Sequence, residues 1–345
     1  MGRARYKKLW GQKYPHSIGL FYSAMTARVG LKPMEEEYIL MGMAAYGKDL
    51  SSVLINYGLV EDKEEIRFKQ NLHLGVDEDF LHNIDDYDIA AGTQAVAQDL
   101  IYSVMRRARD FGWSTNLVYQ GGVALNCLAN QHLGQFFDKI WIMPNPGDSG
   151  SSLGAAALAM GGQINFSNAY LGHDIPGEYP VNAILDHLLT SRIVGVASGR
   201  AEFGPRALGN RSLLADPRGP DIKDKVNEIK RRQRFRPFAP VILAEQARAI
   251  FDMPRNWHTH DYMQTVAYCR RPDLYPAICH YDGTSRVQTV PNNGSGIRML
   301  LEKWYVLTGC PMLLNTSLNI RGEPMVNDRK DADRFEQLYG VKVLS

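Results

Sequence analysis

Apolar residues at Ile18, Phe21, Tyr22, Met25 and Val29 recur at helical spacing behind Ser17, a capping residue, so a helix is expected from there. A small-residue stretch, Met41 to Gly47, comes after it. Ala97, Leu100, Ile101, Val104, Met105 and Ala108 line one face of a second amphipathic helix, read from Ala91 to Phe111. Two strand–glycine–helix units come next. Leu117 to Gln120 runs into Gly121-Gly122, with a helix from about Asn126. Lys139 to Met143 runs into Asn145-Pro-Gly-Asp-Ser-Gly150, with a helix over Ser152 to Met160. Alternating short strands and helices predict an α/β layered domain.

Tyr170 to Val181 carries Gly172, Pro176, Gly177 and Pro180 and is read as the domain boundary. A second α/β domain then opens with a strand over Ile193 to Ala197. It continues through a helix started by Pro220 and striped by Ile222, Val226 and Ile229, which ends near Lys230. After a polar stretch (Arg255 to Asp261), a helix over Ile297 to Leu307 stops at Gly309, and a strand spans Met312 to Asn315. There is no internal repeat.

Composition changes this picture little. Of 345 residues, 45% are hydrophobic and 22% charged, the balance of an ordinary folded protein. No stretch approaches the apolar length of a membrane span. The basic residues between Met1 and Lys8 lead into no apolar segment, so no secretory leader is expected. Cys127, Cys269, Cys279 and Cys310 lack metal-type spacing and read as reduced core thiols of a cytoplasmic protein.

The charge distribution is more informative. Net charge is +2, but Ser198 to Phe238 holds eleven Lys/Arg against five Asp/Glu, which is +6, leaving about −4 elsewhere. Such a local excess points to an anionic ligand. Phe235-Arg236-Pro237 disfavours helix before the proline. An extended Lys230 to Arg236 would therefore put Lys230, Arg232, Arg234 and Arg236 on one face. A solvated basic edge strand would carry the same residues.

Beyond the last strand, extended geometry places Ser317, Asn319 and Arg321 on one side, a set suited to a phosphate and a planar amide; a plain polar turn is the alternative. A third element, Gly199 to Ser212, combines its glycines with Arg200, Arg206, Asn210 and Arg211.

These stretches carry a resemblance. ASGRAEFGPRALGNRSLLADPR (Ala197 to Arg218), IKRRQRFRPFAPVIL (Ile229 to Leu243), HYDGTSRVQTV (His280 to Val290) and NTSLNIRGEPMV (Asn315 to Val326) resemble the nodulation and antibiotic-biosynthesis O-carbamoyltransferases. YQGGVALN (Tyr119 to Asn126) and the glycine-rich run from Asn145 to Leu158 are similar to the other domain of that family.

The resemblance implies an α/β protein of two parts. Residues 1–172 would be the C-terminal portion of an actin/hexokinase-like (ASKHA) carbamoyl-transfer domain, and residues 180–345 a YrdC-like domain. It implies that Lys230-x-Arg232 and Ser317-x-Asn319, with Arg236, frame a site making carbamoyl-AMP from carbamoyl phosphate and ATP. Arg200, Arg206, Asn210, Arg211, Arg286 and Arg321 would bind substrate, with His280 and Asp282 as neighbours, and Mg would accompany the ATP. Gly121, Gly122 and Asn126 would hold nucleotide in the ASKHA part, with transfer to an acceptor hydroxyl.

Asp148 resembles the family's carboxylate metal ligand, for iron, but the H-x-x-x-H-type pair that completes that site is absent: no two of the nine histidines are four apart. The family's opening half-domain is therefore expected to be missing, which would leave apolar surface exposed and call for a partner chain, or a homo-oligomer. A non-catalytic or split subunit that docks with a chain carrying the missing half is one competing reading, and RNA binding through the basic segment is another. That segment lacks the aromatic platform that single-stranded RNA recognition uses, so nucleic acid is not the expected partner.

Overall fold

The computed structural model describes residues 7–56, 59–62, 65–77, 79–162 and 164–345; most of the basic stretch at Met1 to Lys8 lies outside them. Helix α1 (Ile18–Arg28) begins where Ser17 Oγ accepts the Leu20 amide, and it buries Phe21, Tyr22 and Met25. Helix α2 (Glu37–Met43) runs into a 3-10 turn, Ala44–Tyr46. Helix α3 (Asp86–Asp110) starts earlier than its apolar face suggests. Asp85 caps it, Asp86 and Asp88 sit in the first turn and Arg107 and Arg109 in the last, each charge complementing the helix dipole. These elements bury one core, which includes Phe21, Leu40 and Leu100.

Strands β1 (Asn116–Tyr119) and β2 (Lys139–Ile142) pair in parallel. The polar stretch read as a loop adds to their sheet. Trp257 bridges Ile140, the Ile140 amide donates to Asn256 O (2.8 Å), and the His258 amide donates to Ile140 O (2.9 Å). Asn256 Nδ2 and Gln264 Nε2 fix that stretch through carbonyls of Phe137 (3.1 Å) and Ile142 (2.7 Å). One edge of β2 is thus covered, whereas β1 has no partner on its other side among the described residues. Helix α4 (Ser151–Met160) buries none of its residues; Val118, Leu158 and Met160 are 66%, 69% and 71% exposed.

The C-terminal part is built on a mixed six-stranded sheet. With β3 (Ile193–Ala197), β4 (Arg211–Ala215), β5 (Ala239–Leu243), β6 (Gln288–Val290), β7 (Met312–Ser317) and β8 (Val343–Leu344), the order is β6-β5-β7-β4-β3-β8. Only the outer pairs, β6 with β5 and β8 with β3, are parallel. Every residue of β4 and β5 is buried, as expected for strands covered on both faces. Helices α5 (Val181–Ser191), α6 (Ile222–Ile229), α7 (Gly296–Thr308) and α8 (Arg329–Tyr339) accompany the sheet. The segment before α5 is stitched onto this part: Asp174–Ile175 pairs with Gly199–Arg200, and Tyr179 Oη donates to Gly209 O (3.0 Å). Among the described residues no helix is long and apolar enough to cross a membrane.

Candidate functional site

Lys230, the residue at which α6 stops, is 4% exposed. Its Nζ lies 2.6 Å from Ser317 O, 3.2 Å from Ser317 Oγ, 2.8 Å from Asn319 O and 2.9 Å from Asn319 Oδ1. Ser317 Oγ also donates to Asn319 Oδ1 (2.7 Å), and the Arg321 amide donates to Lys230 O (3.0 Å). The two sequence pairs therefore meet. The structure corrects Lys230 as a free phosphate donor: its three hydrogens face four protein acceptors, so it builds the turn at the end of β7. Burial, reinforced by the Arg232 and Arg236 charges, holds its ammonium well below the usual lysine range.

The extended Lys230 to Arg236 is a second correction, because no strand forms there and the chain turns. Arg231 adopts a left-handed φ of 49°, which sends its side chain over Tyr339 (5.2 Å). Asn227, 1% exposed, organises the basic turn after α6: its Oδ1 accepts Arg232 Nε (2.7 Å), and its Nδ2 donates to Arg234 O (3.2 Å) and Arg236 O (3.4 Å). Arg232 lies over Phe238 (4.2 Å), Arg236 over Tyr38 (4.7 Å), and Arg234 is exposed. Sequence reasoning misses Asn227, although an amide beside Ile222 and Val226 on a buried helix face is the available signal.

The glycine-rich loop before β4 divides sharply. Arg211, fully buried, donates to carbonyls of Ser198, Gly199, Asn210, His173 and Asn327. Asn210 Nδ2 donates to Arg200 O (2.8 Å), and Arg200 is exposed with its guanidinium 3.5 Å from Gly172 O. As a correction, the side chains of Asn210 and Arg211 hold the loop together, whereas the Arg200 guanidinium stays exposed. Buried Glu202, which the sequence reading passes over within that stretch, accepts the amides of Leu208 (2.7 Å), Asn210 (2.9 Å) and Arg211 (3.3 Å) and folds the loop around itself.

Only Arg206 of that loop joins the cation cluster. Burial, then the repulsion of the Arg286 charge, pushes its guanidinium down to about 9. Arg232 is pushed to about 8 by burial, then by Arg236 and Arg286. Arg286 Nε is buried with no hydrogen-bond partner. Lys230, Arg206, Arg232, Arg236, Arg286 and Arg321 thus converge, and among the described residues the one ion pair to any of them is Glu36–Arg321 (2.9 Å). Cations buried without counter-charge are costly, and a polyanionic ligand offsets that cost.

The cluster sits where the N- and C-terminal parts meet. Glu36, Tyr38, Tyr46 and Cys127 face it from the N-terminal side: Cys127 lies beside Arg286, and Tyr46 Oη donates to Phe235 O (3.3 Å). Tyr46 stacks on Tyr281 (4.7 Å) beside His280, whose Nδ1 lies 3.5 Å from Asp282. No sequence signal marks these N-terminal residues.

The remaining candidates lie elsewhere. Gly121 needs its positive φ of 107°, its amide donating to Pro146 O (2.7 Å), while a side chain at Gly121 or Gly122 would meet open space. Asn126 caps a short helix through the Ala129 amide and exchanges hydrogen bonds with Gln94 (3.0 Å each way). Asp148 is exposed in a 3-10 turn, and no group of three His, Cys, Asp or Glu able to hold a metal occurs among the described residues. A lone exposed carboxylate does not fit an iron site.

Residues 3–157 match the family described as Carbamoyltransferase N-terminus, and residues 185–345 match Carbamoyltransferase C-terminus. The chain belongs to the carbamoyltransferase family. Among its relatives, Uncharacterized protein sll1178 of Synechocystis is 33% identical, over 94% of this chain and 65% of that protein. Nodulation protein NolO of Bradyrhizobium diazoefficiens is 32% identical over 92% of this chain and 65% of its own length. Nodulation protein U of the same organism is 37% identical over 70% of this chain and 45% of its own. The chain thus spans about two thirds of the length of the first two.

Proposed function

We propose that this carbamoyltransferase chain makes carbamoyl-AMP in the cation cluster of its C-terminal part, for transfer to an acceptor hydroxyl. Carbamoyl phosphate and water give carbamate and phosphate. A carbamate oxygen then attacks the α-phosphorus of ATP, and the bond from that phosphorus to the α,β-bridging oxygen breaks to release pyrophosphate. Arg206, Arg232, Arg236, Arg286 and Arg321 neutralise charge on phosphoryl oxygens, an electrostatic role that needs no side-chain nucleophile. Ser317 and Asn319, set by Lys230, shape the turn against which the carbamoyl group lies. Mg2+ would travel with the ATP phosphates.

The observation that supports this reading is the convergence of these five arginines with one carboxylate paired to them among the described residues. Mass spectrometry of a mixture of the protein, carbamoyl phosphate and Mg-ATP tests it: carbamoyl-AMP is expected, lost in Arg206→Ala/Arg286→Ala. Its absence with the unsubstituted protein would overturn the proposal.

Transfer to a hydroxyl is proposed to need a further polypeptide segment. The unpaired edge of β1 and the uncovered α4 would receive it, and that segment would bring the metal ligands that Asp148 lacks.

A further inference from the structure

Glu36 comes from the opposite part of the chain to the cations it faces, 285 positions before Arg321. Its two oxygens have separate tasks. Oε2 accepts the Lys32 amide (3.0 Å), and the Glu36 amide donates back to Lys32 O (2.9 Å), so the carboxylate stands on a closed backbone turn. Oε1 takes Arg321 Nη2 (2.9 Å). That is one hydrogen bond rather than a fork, and it leaves the other Arg321 donors with no side-chain partner among the described residues. Two residues on, the Tyr38 ring lies 4.7 Å from the Arg236 guanidinium. The turn after α2 docks on the same loop through Tyr46 Oη and Phe235 O (3.3 Å).

A fixed anion among uncompensated cations can do one of two things. A mobile carboxylate would occupy the anion site and compete with ligand; an anchored one would hold a cation in place for it. Glu36 is anchored by the Lys32 backbone. Its carboxyl is held below the usual range by that amide and, against burial, by Arg321 and Arg236, so it is a charged post at neutral pH. Arg321 is otherwise a half-exposed side chain on a turn and would lose rotamer freedom on meeting a ligand.

We propose that Glu36 is a positioning residue for the anion site: it pre-sets Arg321, while Tyr38 pre-sets Arg236, so that phosphate binding in the C-terminal part depends on the start of α2. This rests on the reading of the cluster as a phosphate site and adds the residues that preorganise it.

The probe is inorganic pyrophosphate, titrated calorimetrically into the whole chain and its variants. Glu36→Ala is expected to weaken binding about tenfold, the scale of a hydrogen bond to a charged group. Arg321→Ala should weaken it at least as much, and Glu36→Ala in the Arg321→Ala background should add nothing. Glu36→Gln, which can still accept the hydrogen bond, should recover part of the loss. A general folding defect would instead lower the thermal midpoint and add to Arg321→Ala. Binding unchanged or tightened by Glu36→Ala, additive losses in the double variant, or no pyrophosphate binding by the unsubstituted chain would each overturn the proposal. If the chain binds pyrophosphate in this Glu36-dependent way but makes no carbamoyl-AMP, the positioning role stands and the adenylation reading falls.

Discussion

Lys230 is the residue where sequence and structure diverge most usefully. The sequence presents a cation among cations, whereas the fold surrounds it with Ser317 and Asn319 oxygens and keeps its ammonium well below the usual lysine range through burial and neighbouring arginines. The unfolded chain, with this lysine near its ordinary value of about 10.4, therefore binds more protons than the folded one. Stability should rise with pH from Lys230's depressed folded value up to the ordinary one. A polyanion in the cluster favours the protonated form, so pyrophosphate binding at mildly alkaline pH should take up a proton. Calorimetry in buffers of different ionisation heat checks this, and a buffer-independent enthalpy would contradict it. Ser317→Ala and Asn319→Ala should cut carbamoyl-AMP formation roughly 10- to 1000-fold. Because each also removes an acceptor from a buried ammonium, Asn319→Ala should cost about 1–3 kcal/mol in denaturant unfolding as well. A loop that only contacts substrate would leave folding unchanged. Unaltered stability would mean that Lys230 finds water there instead.

At the scale of elements, helices with a continuous apolar stripe or a capping residue are legible in the sequence: Ser17 opens α1, and Gly309 ends α7 in the left-handed conformation. The start of α3 is not, because Asp85, Asp86 and Asp88 act through capping and the helix dipole rather than through hydrophobic period. Arg211 looks like a ligand donor because its neighbours are glycine-rich, yet it is the first residue of an all-buried strand and satisfies carbonyls there. The basic turn reads as extended because one left-handed residue, Arg231, and one buried amide, Asn227, reverse the chain, and neither leaves a periodic trace. The contributions of Glu36, Tyr38, Tyr46 and Cys127 depend on contacts across most of the chain, which local pattern does not encode. The small-residue stretch Met41 to Gly47 gains a reason from the fold. A Cβ at Gly47 would lie 1.9 Å from Tyr87 O, where the turn after α2 abuts α3. Gly47→Ala should destabilise by about 1–3 kcal/mol, the range for overpacking, read from the urea midpoint. An unchanged midpoint would show that the contact yields freely.

Over the whole molecule, two of the contacts that join the parts have different consequences. The stretch around Trp257 adds backbone to the β1–β2 sheet, and the start of α2 reaches the cations of the C-terminal part. Beyond the joined surfaces lie the open edge of β1 and the uncovered α4 with Leu158 and Met160. Patches of that kind mark association surfaces. The chain alone should therefore self-associate or bind an apolar dye, retain no stoichiometric iron, and carbamoylate no hydroxyl acceptor. Adding the further segment carried by the longer relatives should relieve the association and restore transfer, with Asp148→Ala removing transfer again. Tightly held iron together with acceptor carbamoylation by the chain alone would mean that histidines from elsewhere in the chain reach Asp148. The adenylation proposed for the C-terminal cluster should not need that segment. The most direct measurement is exchange of labelled pyrophosphate into ATP by the purified chain. Exchange should require carbamoyl phosphate and be lost in Lys230→Ala/Arg232→Ala, while exchange without carbamoyl phosphate, or at the unsubstituted rate in that variant, would contradict the account.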